Sequence, residues 1–322
     1  MSEPILAIKD LQTYFYVKAG TVKAVDGVSL TLEPGVKLGL VGESGSGKST
    51  IALSIMRMIK PPGTVNGQIW LGGQELVRLS EEQMRRVRLS QIAMIPQGAM
   101  NSLNPVARIG TQILDGLADH GMKLNKKESQ ERVFQLLETV GLQPKVAKMY
   151  PHELSGGMKQ RVTVAISISM GPKLIIADEP TSALDVVIQR EIMGMITRLV
   201  SEMNLSMILI GHDMGLMAQA VDRLAVMYAG KLAELGDVKD MFADPLHPYT
   251  QMLISSLPTL GQRGVFHGIP GIPPSVINPP PGCLFGARCP KVIGDICHEK
   301  SPTLTEVKPG RWVSCHLYTG AN

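Results

Sequence analysis

The sequence predicts an α/β fold with a mostly parallel sheet at its core, followed by a small cysteine-rich C-terminal module. Three observations carry that expectation. Short apolar runs at 36–41, 174–177 and 207–210 have the length of buried strands, and the last two end in Asp178-Glu179 and Gly211-His212-Asp213. The first run passes through a glycine-rich turn into apolar positions from Ser49 to Ile59 that suit a helix, giving strand, loop and helix in order. All four cysteines, at 283, 289, 297 and 315, lie near the C-terminus, and prolines crowd between Pro258 and Pro309.

Ligands of open α/β sheets sit outside the carboxyl ends of strands, which is where the three polar loops fall. Between Gln97 and Ser155 no strand signal is strong, whereas Lys127 to Leu142 has helical spacing through Val133, Phe134, Leu136, Leu137 and Val140. A helical insertion over about 98–170 is therefore expected. The change in composition near residue 258 places a domain boundary there, dividing 1–258 from 259–322. Length and composition fit this plan: 322 residues, 44% hydrophobic, suffice for a substantial core.

The formal net charge of +4 is small, and the basic pairs Arg85-Arg86 and Lys126-Lys127 lie beside acids, so nucleic-acid binding is not expected. No run reaches the ~18 apolar residues of a membrane span, since Val162 to Ala177 is broken by Gly171, Pro172 and Lys173. The first ten residues lack the layout of a signal peptide, and a cytoplasmic protein is expected.

Gly42-Glu43-Ser44-Gly45-Ser46-Gly47-Lys48-Ser49 matches the P-loop pattern at every fixed position. Its glycines let backbone N–H groups curl around phosphate oxygens, the following helix adds its positive end, and Lys48 supplies a mobile charge. Ser49 can offer its hydroxyl to Mg²⁺. Asp178-Glu179 supplies two carboxylates suited to nucleotide hydrolysis, one for the metal and one to take a proton from water; adjacent side chains on an extended segment point apart, which suits that division. Taken alone, an Asp-Glu pair after a strand is more often a turn or cap.

Leu154-Ser155-Gly156-Gly157-Met158-Lys159-Gln160-Arg161 precedes a long apolar helix and resembles the signature motif of ABC ATPases. With the P-loop and Asp178-Glu179, it identifies the chain as similar to that family over about residues 5–258. The resemblance implies ATP and Mg²⁺ as cofactors, with ATP held by Gly42, Ser44, Gly45, Ser46, Gly47, Lys48, Ser49 and Thr50. It implies Glu179 as general base, Ser49, Gln97 and Asp178 around Mg²⁺, and His212 at the γ-phosphate. Gln97 resembles the Q-loop glutamine, and Ser182-Ala183-Leu184-Asp185 the D-loop. The adenine-stacking aromatic is Phe15 by family spacing, with Tyr14 and Tyr16 as rivals. Ser155 and Gly157 are expected to complete the ATP site of a partner cassette. This chain departs from the family's oligopeptide branch in having Gly98-Ala99 where Asp-Pro follows the glutamine, and Gly211 before the histidine.

Pro245-Leu246-His247-Pro248-Tyr249-Thr250, Ser255-Ser256-Leu257-Pro258 and the cysteine module resemble the ending of ATPases from dipeptide, oligopeptide and nickel importers. That branch implies a motor driving import of di- or oligopeptides, with nickel or oligosaccharides as alternative solutes. It implies a second ATPase subunit, usually a different chain, two permease subunits, an extracytoplasmic solute-binding protein, and a peripheral place on the cytoplasmic face of the membrane. A soluble non-transport ABC ATPase is disfavoured by the short insertion and single P-loop. A GTPase is disfavoured because Asn125-Lys126-Lys127-Glu128, the nearest guanine-motif candidate, lacks the required Asp.

Four thiolates are a complete ligand set for zinc or iron–sulfur, and a reducing cytosol disfavours disulfides. Cys283, Cys289, Cys297 and Cys315 are separated by five, seven and seventeen residues, without short Cys-x-x-Cys knuckles, and Pro290 follows Cys289. Some members of the branch carry a [4Fe-4S] cluster, and one is expected here. One interval is a residue longer than the branch's pattern, which leaves Cys297 the least fixed of the expected ligands.

Overall fold

The computed structural model describes residues 3–98, 102–182, 184–257 and 268–318. In chain order the elements are β1 (Leu6–Val17), β2 (Gly20–Leu32), β3 (Lys37–Val41), α1 (Lys48–Ile55), β4 (Gly63–Leu71), β5 (Gln74–Glu75), α2 (Glu81–Val87), β6 (Ile92–Ile95), α3 (Ile109–Asp119), α4 (Lys126–Thr139), α5 (Gly156–Ile168), β7 (Leu174–Asp178), α6 (Val186–Glu202) and β8 (Ser206–Ile210). There follow α7 (Met214–Ala220), β9 (Arg223–Tyr228), β10 (Lys231–Asp237), α8 (Val238–Ala243), α9 (Pro248–Ser255), α10 (Ile296–Glu299), β11 (Thr305–Lys308) and β12 (Arg311–Val313). They divide into two compact units, residues 1–78 with 209–322, and residues 79–208. The expected boundary at residue 258 lies outside the described residues.

The first unit corrects the expectation of a mostly parallel sheet. β3 and β9 are parallel, with Leu38 opposite Arg223 and Val41 opposite Val226, but β9, β10, β12 and β11 continue as antiparallel neighbours. A separate antiparallel sheet in the order β2-β1-β4-β5 was not anticipated. It forms because β1 alternates at period two on each side of an irregularity in the register between Ile8 and Leu11: Leu6 and Ile8, then Leu11 and Thr13, are buried, and the register pairs Leu6 with Leu32 and Leu71. α1 stops at Ile55 and does not reach Ile59. Arg57 takes a left-handed φ of 50°, and Met58 N–H turns back to Leu53 O at 2.8 Å, which closes the helix.

The C-terminal part of this unit is held by buried polar contacts. Glu234 and Arg311 are 0% and 5% exposed; Arg311 Nη2 donates to Glu234 Oε1 at 2.6 Å, and the same carboxylate accepts the N–H groups of Leu246 and His247 at 2.9 and 3.0 Å. His247 caps α9, its Nδ1 accepting Tyr249 N–H at 3.0 Å. Burial depresses the His247 imidazole from 6.5 to about 4, only partly countered by a backbone hydrogen bond with Ser314.

In the second unit β6 and β7 are parallel, Ile92 facing Leu174 and Ile95 facing Ala177, and β7 is buried throughout. The described residues from 102 to 170 contain helices and turns and no strand. Asn125-Lys126-Lys127-Glu128 proves to be a helix start. Asn125 Oδ1 accepts Lys127 and Glu128 N–H at 2.9 and 3.0 Å, and Glu128 Oε2 accepts Asn125 N–H at 2.8 Å. Arg85 and Arg86 are solvated and paired with Glu82 at 2.9 and 3.1 Å. Among the described residues, no helix is long and apolar enough to cross a membrane.

Candidate functional site: a phosphate loop and a carboxylate pair

In the first unit, β3 delivers the chain into the loop Gly42–Gly47. Gly42 and Gly47 have φ of 147° and 101°, and a Cβ on either would stand 2.2 Å from a backbone oxygen, that of Met227 or Ala24. Only glycine allows this turn. Ser44 and Gly45 are exposed at its tip, while Ser46 is buried. Lys48, at the first position of α1, is 7% exposed; its Nζ donates to Gly42 O at 2.9 Å, Glu43 O at 2.8 Å and Ser46 Oγ at 3.4 Å. The ammonium is thus held across the loop's own mouth. Ser49 and Thr50 follow in the first turn, half-buried. Such a helix end, with its N–H groups and a full positive charge, is built to take phosphate.

Elsewhere in this unit, Tyr14 donates its hydroxyl to Asp26, and burial with that carboxylate raises its pKa. Phe15 faces Val22 and Gly63 across the sheet, and a Cβ on Gly63 would lie 2.7 Å from its ring. Tyr16 is 53% exposed. His212 is exposed after β8, next to Asp213, whose Oδ1 caps α7 by accepting Leu216 N–H at 3.0 Å.

In the second unit, β7 ends in Asp178, 3% exposed, and Glu179, half-buried with a left-handed φ of 42°. A non-glycine residue there is strained, and such strain collects at working sites. Gln97, exposed after β6, donates from Nε2 to Glu179 Oε2 at 2.9 Å. The structure therefore joins two residues that are 82 positions apart. Ser155 is the N-cap of α5, its Oγ accepting Met158 N–H at 3.3 Å. A Cβ on Gly157 would lie 3.0 Å from Ile188 Cγ2. Asp185 caps α6 by accepting the N–H groups of Val187 and Ile188 at 3.1 and 3.0 Å; Ala183, the middle of the expected D-loop, lies outside the described residues.

The residues named for Mg²⁺ fit a hard cation in kind, offering the Ser49 hydroxyl, the Gln97 amide oxygen and the buried Asp178 carboxylate. The structure does not support the expected [4Fe-4S] cluster of the four cysteines. Cys283, Cys289 and Cys315 feel the charge of neighbouring cysteines, yet among the described residues no group of three or more His, Cys, Asp or Glu is arranged to hold a metal ion. All four are free thiols. Burial pushes the Cys283 thiol up to about 11 and raises Cys289 and Cys315.

Sequence reasoning missed the surroundings of Glu43, which sits at a variable position of the loop pattern. Its carboxylate takes both arms of Arg288 at 2.9 Å, and its N–H donates to Tyr249 Oη at 2.9 Å. Tyr228, Tyr249 and Phe285 pack around that contact with ring centroids 4.7 to 5.4 Å apart. The Pro245–Thr250 run was a visible signal for Tyr249; nothing local marks Arg288.

Residues 25–182 match the ABC transporter family model, and residues 233–297 match that of the oligopeptide/dipeptide transporter C-terminal region. The oligopeptide transport ATP-binding protein AppD of Bacillus subtilis (strain 168) is 44% identical over 319 residues, 98% of this chain and 97% of that one. The oligopeptide transport ATP-binding protein OppD of Escherichia coli (strain K12) is 41% identical over 317 residues, 98% and 93% respectively. Among solved structures, cbiO1 of Clostridium perfringens, part of the ABC transporter complex cbiONQ, superposes with a TM-score of 0.63 at 26% identity, covering 76% of this chain and 92% of its own.

Proposed function

Because the chain belongs to the ABC transporter family, in its branch of oligopeptide and dipeptide transport ATP-binding proteins, we propose that it is the ATPase motor of a peptide importer. The observation that carries the solute class is the match to AppD over 98% of the chain, which takes in the C-terminal region as well as the cassette. Nickel and oligosaccharide import, and a non-transport role, have no such support.

In this reading the N–H groups of Gly42–Gly47 and the ammonium of Lys48 bind the ATP phosphates, with Ser46, Ser49 and Thr50 lending hydroxyls. Phe15 stacks on adenine; the hydroxyl of Tyr14 is engaged by Asp26, which supports that choice. Ser49, Gln97 and Asp178 hold Mg²⁺, which supplies neutralisation of phosphate charge when bound. Glu179 takes a proton from the attacking water, and Gln97 orients its carboxylate. His212 donates to the γ-phosphate. Two cassettes work head to tail, Ser155 and Gly157 of one facing the nucleotide of the other. Val186 and Val187, 80% and 68% exposed beside the expected D-loop, are apolar surface suited to that contact. The motor acts with a second, different ATPase chain, two permease subunits and a solute-binding protein, from the cytoplasmic face of the membrane. No iron–sulfur chemistry enters this proposal.

The test is Glu179→Gln in the assembled complex. A general base contributes ~10²–10⁴-fold, so this variant is expected to bind ATP yet hydrolyse it at least about a hundred times more slowly. Near-normal turnover would overturn the assignment.

A further inference from the structure

We propose that Arg288, from the C-terminal region, is a positioning residue of the phosphate loop: it holds Glu43 so that Lys48 meets the nucleotide's phosphates in a preset place. The inference rests on the reading of Gly42–Ser49 as the phosphate loop and adds to it a second, distant part of the chain.

Glu43 is held at three points. Its N–H donates to Tyr249 Oη at 2.9 Å, its carbonyl accepts Lys48 Nζ at 2.8 Å, and its carboxylate receives Arg288 Nη1 on Oε2 and Nη2 on Oε1, each at 2.9 Å. The fork is itself fixed. Arg288 Nε donates to Pro270 O at 2.8 Å, Nη2 to Ile269 O at 3.1 Å and Nη1 to Tyr228 Oη at 3.0 Å, and the guanidinium lies 5.8 Å from the Tyr228 ring centroid and 6.0 Å from that of Phe285. The Arg288 side chain is 5% exposed and that of Glu43 25%. A bidentate pair of this kind sets the plane of the carboxylate as well as its distance, which a lysine cannot do.

A nearly buried ion pair is weak evidence for stability, because apolar residues of similar volume commonly serve as well or better. What this pair supplies is geometry at one residue, and that residue's carbonyl is a seat for Lys48. On the other side, Gly42 is pressed against Met227 O with no room for a Cβ, and its own carbonyl is the second seat. With Glu43 released, its peptide is freer to rotate, Lys48 loses a fixed acceptor, and the loop must be ordered by the nucleotide instead. Ordering of that kind weakens binding and leaves the chemical step alone, so it appears in KM.

The experiment uses the assembled complex and compares steady-state ATP hydrolysis of Arg288→Gln, Glu43→Gln, the double variant and Arg288→Lys, with thermal melts to show each is folded. Arg288→Gln is expected to raise the KM for ATP roughly tenfold, the worth of one charge-assisted hydrogen bond, with kcat within about twofold. Glu43→Gln should do the same, the double variant should be no worse than either single, and Arg288→Lys should recover only part of the loss. If Arg288→Gln does not fold, Tyr249→Phe removes only the hydroxyl at Glu43 N–H and is expected to raise KM in the same direction. An unchanged KM in a folded variant, additive effects in the double variant, or a fall in kcat at constant KM would overturn the inference. Binding of a fluorescent ATP analogue to Lys48→Ala separates the two claims. Normal binding there defeats the phosphate-loop reading itself, whereas lost binding with an unaffected Arg288→Gln defeats the inference alone.

Discussion

Gln97 Nε2 donates to Glu179 Oε2 at 2.9 Å, joining the second residue past β6 to the residue after its parallel neighbour β7. The bond gives the Glu179 carboxylate a fixed direction although its backbone is in a strained left-handed conformation. Removing the donor leaves the carboxylate chemically intact and poorly aimed. Gln97→Ala is therefore expected to lower kcat roughly tenfold, the worth of about 1.5 kcal/mol at the low end for one hydrogen bond to a charged group, while Glu179→Gln costs far more. Steady-state kinetics of the two variants side by side, at saturating Mg²⁺ so that the proposed metal role of Gln97 is offset, measure the difference; an unchanged kcat in Gln97→Ala would mean that the bond does not aim Glu179.

Gly45 and Gly47 lie two residues apart, and both have left-handed φ, 77° and 101°. A Cβ on Gly45 meets nothing within 4 Å, whereas one on Gly47 would stand 2.2 Å from Ala24 O. Gly45→Ala is expected to cost only the conformational term, about 1–2 kcal/mol. Gly47→Ala must also displace a backbone carbonyl of β2 and should be distinctly worse. Denaturant unfolding without nucleotide checks the order; a Gly47→Ala variant as stable as Gly45→Ala would show that the loop accommodates a methyl group there.

His247 titrates about 4 in the folded chain against 6.5 when exposed, because burial disfavours its charged form. The folded state binds that proton more weakly, so the stability it confers is complete above about pH 6.5 and is lost as the pH falls towards about 4. The shift corresponds to about 3 kcal/mol in all. His247→Asn keeps a capping side chain without a titrating ring, and its melting temperature should fall less steeply than the parent's between pH 7 and 4.5. Parallel pH profiles would remove His247 as the cause.

The features legible in the amino-acid order are those whose physics is local. The glycine pattern of 42–47 and its lysine are legible because these loop hydrogen bonds span a few residues; Lys48 reaches back to Gly42, Glu43 and Ser46. Strands β3, β7 and β8 were legible as apolar runs, and the start of α5 at Ser155 from a cap that acts within one turn. Folding in three dimensions selects which distant groups meet: Gln97 with Glu179, Tyr249 with Glu43 across 206 positions, and Arg288 with Glu43 across 245. It also decides that the sheet is mixed, that His247 is a buried cap, and that no disulfide joins the four cysteines. The reason is entropic. The cost of closing a loop grows only with the logarithm of its length, so separation along the chain says little about which partners come together. Those pairs are selected by the packing of the strands and helices that carry them, which no local pattern records.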